Sequence, residues 1–524
     1  MSLLIALCFL LSLVTSLMLV ASVRTLALQW GFVDQPDRDR KLHRQPIALC
    51  GGVAVFAALV ISLLAVIQID RRFGMYELGV IQSNWYVLFF AAGAILLVGL
   101  VDDAFSLRGR QKLLLQFLII AALVGSGTVV EIISVFGKEL HLGVFAYPIT
   151  VLWLLIAVNA LNLIDGADGM ATTVGCFVSA GLALLAWQTG STLGAVVAIS
   201  LSGALVGFLF FNRPPASIFL GDAGSMMIGL FVGVLAVWSS VKESTVLASA
   251  PVAILALPLF DSSAAILRRW LTGRSIYATD RAHLHHLLQE KFGSRGMLLV
   301  VAGLCAVTTF LAVFSSYYGI PWLAGVGVIA ALAILVFTRS FGHAEARLVL
   351  GKMAAFTNSF LASSPGGVMA KQHHRLSLQG SGRWETIWEP LVEFAKSHDL
   401  AKVKIDLSLA WLHEGYHATW NSVQMPERAF QMCVRLPLFT HQTRDGAPIC
   451  IGRLEIIAAA NDPTVYERIA DLSEKLVDLG PQIDLIIADL ETRHQKSKQV
   501  VAVADRDVNS DQLVNKSVSV PNAS

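Results

Sequence analysis

Five aspartates stand out in a chain that is otherwise sparing of charge. Asp102 and Asp103 lie in GLVDD, Asp165 and Asp168 in NLIDGADG, and Asp222 in FLGDAGS. Three histidines, His283, His285 and His286, share the run DRAHLHHLL. Each cluster abuts an apolar stretch. A carboxylate at the centre of a bilayer costs about 2.5–3.5 kcal/mol on an insertion scale, so acids kept there need a reason. Gathered on one face, the five would repel one another unless a cation sits among them. Hard carboxylate oxygens beside a phosphate substrate suggest Mg²⁺, with Mn²⁺ as the alternative. Lys41 and His43 in DRKLHRQP, with the three histidines, would suit an anionic substrate. The chemistry in prospect is metal-assisted transfer at phosphorus.

Each cluster has a plainer reading. An isolated acid at a helix end is usually just solvated, but here the loops are short, Gly-rich and pressed against apolar helices. HLHH could bind zinc, yet no cysteine accompanies it and carboxylates dominate, so phosphate contact or loop ordering fits better. Asp261, in LPLFD, lies about two turns from Arg268 inside an apolar segment. It is a functional candidate by default, against the alternative of a helix-packing bond to neighbouring backbone. GADG and LGDAG match neither GxxxxGK[ST] nor GxGxxG, although their glycines would let backbone approach a phosphate closely.

The elements that must position these residues are set by composition. Of 524 residues, 55% are hydrophobic and 15% charged, which indicates a polytopic membrane protein. Apolar segments predict eleven transmembrane helices, near 2–23, 49–69, 84–101, 112–131, 146–164, 171–188, 193–211, 223–240, 248–267, 297–316 and 320–338. The first fits a transmembrane helix better than a signal peptide, because it lacks a charged n-region and its apolar run is long. Loops after the first, third, seventh and ninth helices carry fourteen Lys and Arg, against four in the opposite loops. The N-terminus is therefore expected outside, and the C-terminus and every acid or histidine cluster on the cytoplasmic face. A secondary transporter would instead hold its acids near the midplane on broken helices with internal repeats. The net charge of +2 gives no ground for a nucleic-acid partner, and the six cysteines form no CxxC pair.

After residue 340 the composition changes. Residues 345–495 read as a cytoplasmic α+β domain. WETIWEPLVEFAKSH is an amphipathic helix, and KVKIDLSLAWL, FQMCVRLPLF and ICIGRLEIIAAA are strands. A helix runs from TVYER to ETRHQ, with a break expected near Gly480-Pro481. HEGYHATWN groups two histidines with a glutamate; a metalloprotease reading is set aside, and the domain is expected to be a non-catalytic interaction or regulatory module. Residues 496–524 are polar and expected to be disordered.

The motifs DRKLHRQPIALCGG, GLVDD, NLIDGADG, FNRPPASIFLGDAGS, LPLFD and DRAHLHHLL, in this order, resemble the polyprenyl-phosphate N-acetylhexosamine-1-phosphate transferases. The nearest branch is the bacterial undecaprenyl-phosphate GlcNAc-1-phosphate transferases, over about residues 1–340. The resemblance implies transfer of a sugar 1-phosphate from a UDP-sugar to undecaprenyl phosphate in the bacterial inner membrane, with UMP released. It implies Asp222, Asp102 and Asp103 as metal ligands, the latter two alternatively as the base. It implies Lys41, Asp168, Asn212 and Phe219 near the uridine, with Asn162 and Asp165 lining the site. His283, His285 and His286 would meet the donor's pyrophosphate or sugar, and His43 and Asp261 join the expected substrate contacts. The PVHHHFE type of motif found in the MurNAc-pentapeptide branch is absent. GlcNAc is the expected sugar, with GalNAc, FucNAc or QuiNAc as alternatives. A homodimer and a cytoplasmic protein partner for the C-terminal domain are further expectations.

Overall fold

In lipid, a chain must satisfy its own backbone hydrogen bonds, and the apolar stretches do so as helices. A computed structural model of the chain describes residues 2–35, 46–74, 83–135, 138–240, 249–271, 283–338, 384–409, 414–422, 425–427, 430–444, 447–460, 462–472, 474, 476 and 479–492. They form two compact units, one from the described residues up to 338 and one from those beyond 383.

The first unit runs α1 (Ser2–Trp30), α2 (Gly51–Phe73), α3 (Ser83–Phe105), α4 (Gly109–Gly125), α5 (Ala146–Ile164), α6 (Met170–Gln188), α7 (Thr192–Asn212), α8 (Gly221–Ser240), α9 (Ser249–Ile254), α10 (Ala256–Leu271), α11 (Leu284–Tyr318) and α12 (Pro321–Phe337). Among the described residues eight helices, α1–α3, α5–α8 and α11, are long and apolar enough to cross a membrane. The protein is a multi-pass membrane protein. The sequence led us to expect eleven spans; α4, α9–α10 and α12 fall short by length.

Two departures have local causes. The segment expected as one helix over 248–267 divides at Leu255. Pro258 has no N–H to give the Ile254 carbonyl, and its ring crowds that carbonyl, so the helix restarts. The helix expected over 112–131 ends at Gly125, and after a short non-helical stretch an antiparallel hairpin follows, Ile132–Val135 with Lys138–His141.

α8 is the most enclosed span, with 83% of its apolar window buried. A helix apolar on all sides must be surrounded, and α8 packs against α2, α3, α5 and α6. Its first turn is gripped by close approaches. A Cβ on Gly99 of α3 would collide with Ala223 backbone, and one on Gly52 of α2 with Gly224 backbone. Short strands β1 (Val33–Asp34) and β2 (Ile47–Ala48) pair antiparallel, and Ala48 also bridges Ile218 in parallel. The chain ahead of α2 is thus tied to the chain ahead of α8.

In the second unit, strands over Lys402–Leu409, Glu414–Asn421, Gln431–Arg444 and Ala447–Ala459 form one antiparallel sheet, the last two lying together and the first between Glu414–Asn421 and Ala447–Ala459. One face of the sheet packs a core with a helix over Glu385–Ser397 and residues 465–490, centred on buried Trp384 and Trp388. The second strand was not expected. HEGYH has the HExxH spacing, which would put both histidines on one face of a helix, so spacing alone does not dismiss a zinc site. That motif binds zinc from a helix, whereas here Glu414–Asn421 is a β-strand. Residues 479–492 are helical through Gly480 and Pro481, where a break was expected. The expected disorder of 496–524 concerns residues outside the described ones.

Candidate active site

The end of α3, the start of α4, the end of α5 and the start of α8 meet at one place. Lys112, on the first turn of α4, sits at the centre. Its Nζ lies 2.8 Å from Asp102 Oδ2 and donates to Asn162 Oδ1 at 3.1 Å. It also pairs with Asp222 Oδ2. Asn162 donates in turn to Asp222 Oδ1 at 2.8 Å and to Ser225 Oγ at 3.1 Å. One ammonium therefore joins two carboxylates from different helices, and one amide fixes the other oxygen of Asp222.

Asp102 and Asp103 are adjacent but do different things. Asp102 Oδ1 accepts the Leu107 N–H at 2.7 Å, closing the turn from α3 to α4, while its other oxygen meets Lys112. Asp103 accepts the N–H groups of Asp222 at 3.0 Å and Ala223 at 3.3 Å. It caps α8 from another helix, supplying acceptors to donors that the first turn cannot satisfy. Gly221, at φ +75°, makes room: a Cβ there would press on the Asp103 carboxylate. Asp222 is more open than Asp102, its side chain 34% exposed against 11%.

Asp165 follows α5 directly. Burial first, and then the negative charges of Asp222, Asp103 and Asp168, hold its carboxyl well above the usual carboxylate range. Asp168 accepts the Ala216 N–H at 2.9 Å. Asn212 was expected at the uridine, but it is buried and its amide is spent within the protein. Its Oδ1 accepts from Thr172 Oγ1 at 2.7 Å and its Nδ2 donates to the Ile218 carbonyl at 2.9 Å. These bonds hold the loop between α7 and α8. Phe219 is held by backbone, its N–H on the Ala48 carbonyl at 2.9 Å and its carbonyl accepting from Gly51 at 3.0 Å.

The histidines stand at the start of α11. His283 is its N-cap residue, and His285 and His286 lie on its first turn. The rings of His283 and His285 stack at 5.9 Å and 9°, and His286 tilts against His285 at 4.1 Å. His285 covers Gly166, where any Cβ would strike its ring, so the run abuts the loop that carries Asp165. Asp261 is completely buried behind them, with both oxygens engaged by His283 and the Leu284 N–H. It was expected as a substrate contact; its burial and bonding place it one layer back. Lys41 and His43 lie outside the described residues.

Sequence reasoning missed Lys112, which it counted only as a topological charge, and the layer beneath it. Gln116, one turn deeper on α4, is fully buried. It accepts from Asn159 of α5 at 2.8 Å and donates to the Met226 sulfur of α8 at 2.8 Å. A signal was present. Lys112 and Gln116 are four apart, Asn159 and Asn162 three apart, so each pair shares a helix face in an otherwise apolar run.

The donor set can be tested against a divalent cation. Among the described residues no three acidic, imidazole or thiol groups converge as a ready metal cage. Asp103 is committed to backbone and Asp102 to backbone and Lys112, so the expected three-carboxylate ligation is not what the geometry offers. Asp222 is held too, by Lys112 and Asn162, but its side chain is about a third exposed and its oxygens keep further lone pairs; one such carboxylate fits Mg²⁺, which keeps waters and completes its shell with substrate phosphates rather than protein ligands.

The helices that build this cluster are also where the chain resembles known proteins. The model of glycosyl transferase family 4 matches residues 85–240, the stretch from α3 through α8 that builds the acid cluster. A probable undecaprenyl-phosphate N-acetylglucosaminyl 1-phosphate transferase of Bacillus subtilis is 33% identical over 300 residues, 57% of this chain and 80% of that protein. An undecaprenyl-phosphate alpha-N-acetylglucosaminyl 1-phosphate transferase of Escherichia coli K12 is 28% identical over 308 residues, 56% of this chain and 79% of its own length. A decaprenyl-phosphate N-acetylglucosaminephosphotransferase of Mycobacterium tuberculosis is 30% identical over 346 residues, 60% and 84% of the two chains. With the family match falling on the helices that gather Asp102, Lys112, Asn162 and Asp222, the chain belongs to the polyprenyl-phosphate N-acetylhexosamine-1-phosphate transferases.

Proposed function

We propose that the protein transfers GlcNAc-1-phosphate from UDP-GlcNAc to undecaprenyl phosphate, giving undecaprenyl-pyrophosphoryl-GlcNAc and UMP, and so initiates a cell-surface polysaccharide at the cytoplasmic face of the membrane. The observation that carries this reading is the cluster of Asp102, Lys112, Asn162 and Asp222 at the meeting of four helix ends. Ends of membrane-spanning helices fall near headgroup depth, where a lipid phosphate would meet the cluster. The names of the relatives support the sugar and the polyprenyl carrier.

An oxygen of the lipid phosphate forms a bond to the sugar-bearing phosphorus of the donor, and the bond from that phosphorus to the bridging oxygen breaks, releasing UMP. Both reactants are anions, so their repulsion must be offset and the reacting groups held in line. Lys112 supplies one positive charge. Asp222, the open carboxylate, would hold Mg²⁺, which neutralises developing charge on the phosphates when bound. Asn162 fixes the Asp222 carboxylate, and Asp103 fixes the start of α8 beneath it. A strong base is not required, because the second pKa of a phosphate is about 6. Asp102, held by Lys112 and the Leu107 N–H, then acts in positioning rather than as an obligatory base.

The test is to incubate the purified protein with undecaprenyl phosphate, UDP-GlcNAc and Mg²⁺, with and without chelator, and to identify the nucleotide released. Chelator-sensitive UMP with a labelled lipid is the expected result. UDP in place of UMP overturns sugar-1-phosphate transfer. Turnover with UDP-GalNAc or a 6-deoxy UDP-sugar but not UDP-GlcNAc overturns the sugar alone.

A further inference from the structure

Asp261 is the one acid among the described residues of α10, and it lies fully inside the protein. Such a group needs both oxygens satisfied, or it is costly to keep there. One oxygen, Oδ1, accepts the Leu284 N–H at 2.8 Å, which caps the first turn of α11. The other, Oδ2, is 3.0 Å from His283 Nδ1. A backbone cap alone would make Asp261 a helix-packing residue. The second bond adds something a cap does not require: it decides where the proton on a neutral imidazole resides. With a carboxylate at Nδ1, that nitrogen donates, and Nε2 is left as the acceptor.

The consequence passes along the histidine run. The His283 ring is nearly parallel to that of His285, which lies against Gly166 beside Asp165. His285 is itself buried, and its Nδ1 has no hydrogen-bond partner among the described residues. A buried, unpartnered ring nitrogen beside the acid cluster is a group prepared for a ligand. We propose that Asp261 is a positioning residue that fixes the Nδ1–H tautomer and ring plane of His283 and, through the His283–His285 stack, seats the histidine run against Gly166 without touching substrate. This rests on the sugar-1-phosphate transfer reading for its kinetic consequence, but not for the tautomer.

The test has two arms on the full-length protein in nanodiscs. In the first, histidine-labelled wild type is examined by ¹⁵N NMR. Besides the signal of His398, whose Nδ1 donates to the Phe394 carbonyl at 3.0 Å, an Nδ1-protonated imidazole is expected whose signal vanishes in His283→Ala. Its absence from wild type, or its persistence in His283→Ala, overturns the proposal. The second arm is kinetic. Asp261→Asn keeps an oxygen for the Leu284 N–H but offers His283 an amide. Its kcat should fall about 10–100-fold, the range found for groups that orient another functional side chain, with the KM for UDP-GlcNAc within about twofold. In the His283→Ala background the same change should cost nothing further. An equal loss in both backgrounds, or a loss that appears in KM instead, would show that Asp261 acts independently of His283. If wild type releases no UMP from any UDP-sugar, the transfer reading fails, and the NMR arm still decides the pair.

Discussion

Two buried ionic groups lie side by side in this protein, and they are built on opposite principles. At Asp261 the charges are closed: one carboxylate, two donors and no exposure. At Asp222 they are open. Asp102, Asp103, Asp165, Asp168 and Asp222 share a region with the ammonium of Lys112, and Asp222 remains about a third exposed. A closed group holds geometry. An open one, with negative charge in excess, holds a place for positive charge that arrives with the substrates.

That contrast can be broken by substitution. Removing the open carboxylate should do most damage. Asp222→Asn is expected to lower turnover by about 10³-fold while leaving the unfolding temperature close to wild type, as read by a UMP-release assay and a thermal melt. Undiminished turnover would remove Asp222 from the reaction. Lys112→Gln should cost about 10²-fold and also destabilise the chelated protein, because Asp102 and Asp222 lose their shared partner. Added Mg²⁺ should recover part of that stability, and a melt with and without chelator measures it. Gly99→Ala tests the scaffold. Its methyl group would meet the Ala223 backbone, so α8 must shift, with about 1–3 kcal/mol of stability lost and turnover reduced about 10-fold. The smallest effect is expected from deleting residues 345–524, which should leave turnover per molecule unchanged. A large loss would give the second unit a part in the chemistry.

The open site was the more legible of the two in the sequence. Its acids break long apolar runs at helix ends, where any polar residue is conspicuous. Lys112 escaped because a lysine at a helix end already has an explanation in membrane topology, and only its alignment with Gln116 along α4 hints at more. The commitments of Asp103 and Asn212 were not legible at all. Asp103 caps a helix more than a hundred residues away, and Asn212 is satisfied by Thr172 from another helix. Periodicity reports which face a residue occupies, not which distant backbone it meets. The divided helix at Leu255 was legible in Pro258. In the second unit, no strand was read over Glu414–Asn421, where Gly415 weakens the β-propensity; pairing with Lys402–Leu409 overrides that.

The layer of Gln116, Asn159 and Met226 has a consequence for the membrane as well as for the site. A crowd of acids at one end of a helix bundle is how a proton wire would begin. Here the next groups inward are an amide, an amide and a thioether, none of which takes up or releases a proton near neutral pH. Beyond them α4, α5 and α8 carry no Asp, Glu, Lys, Arg or His. Along these three helices phosphate charge can therefore be handled at one end with no titratable side chain to relay a proton inward from it.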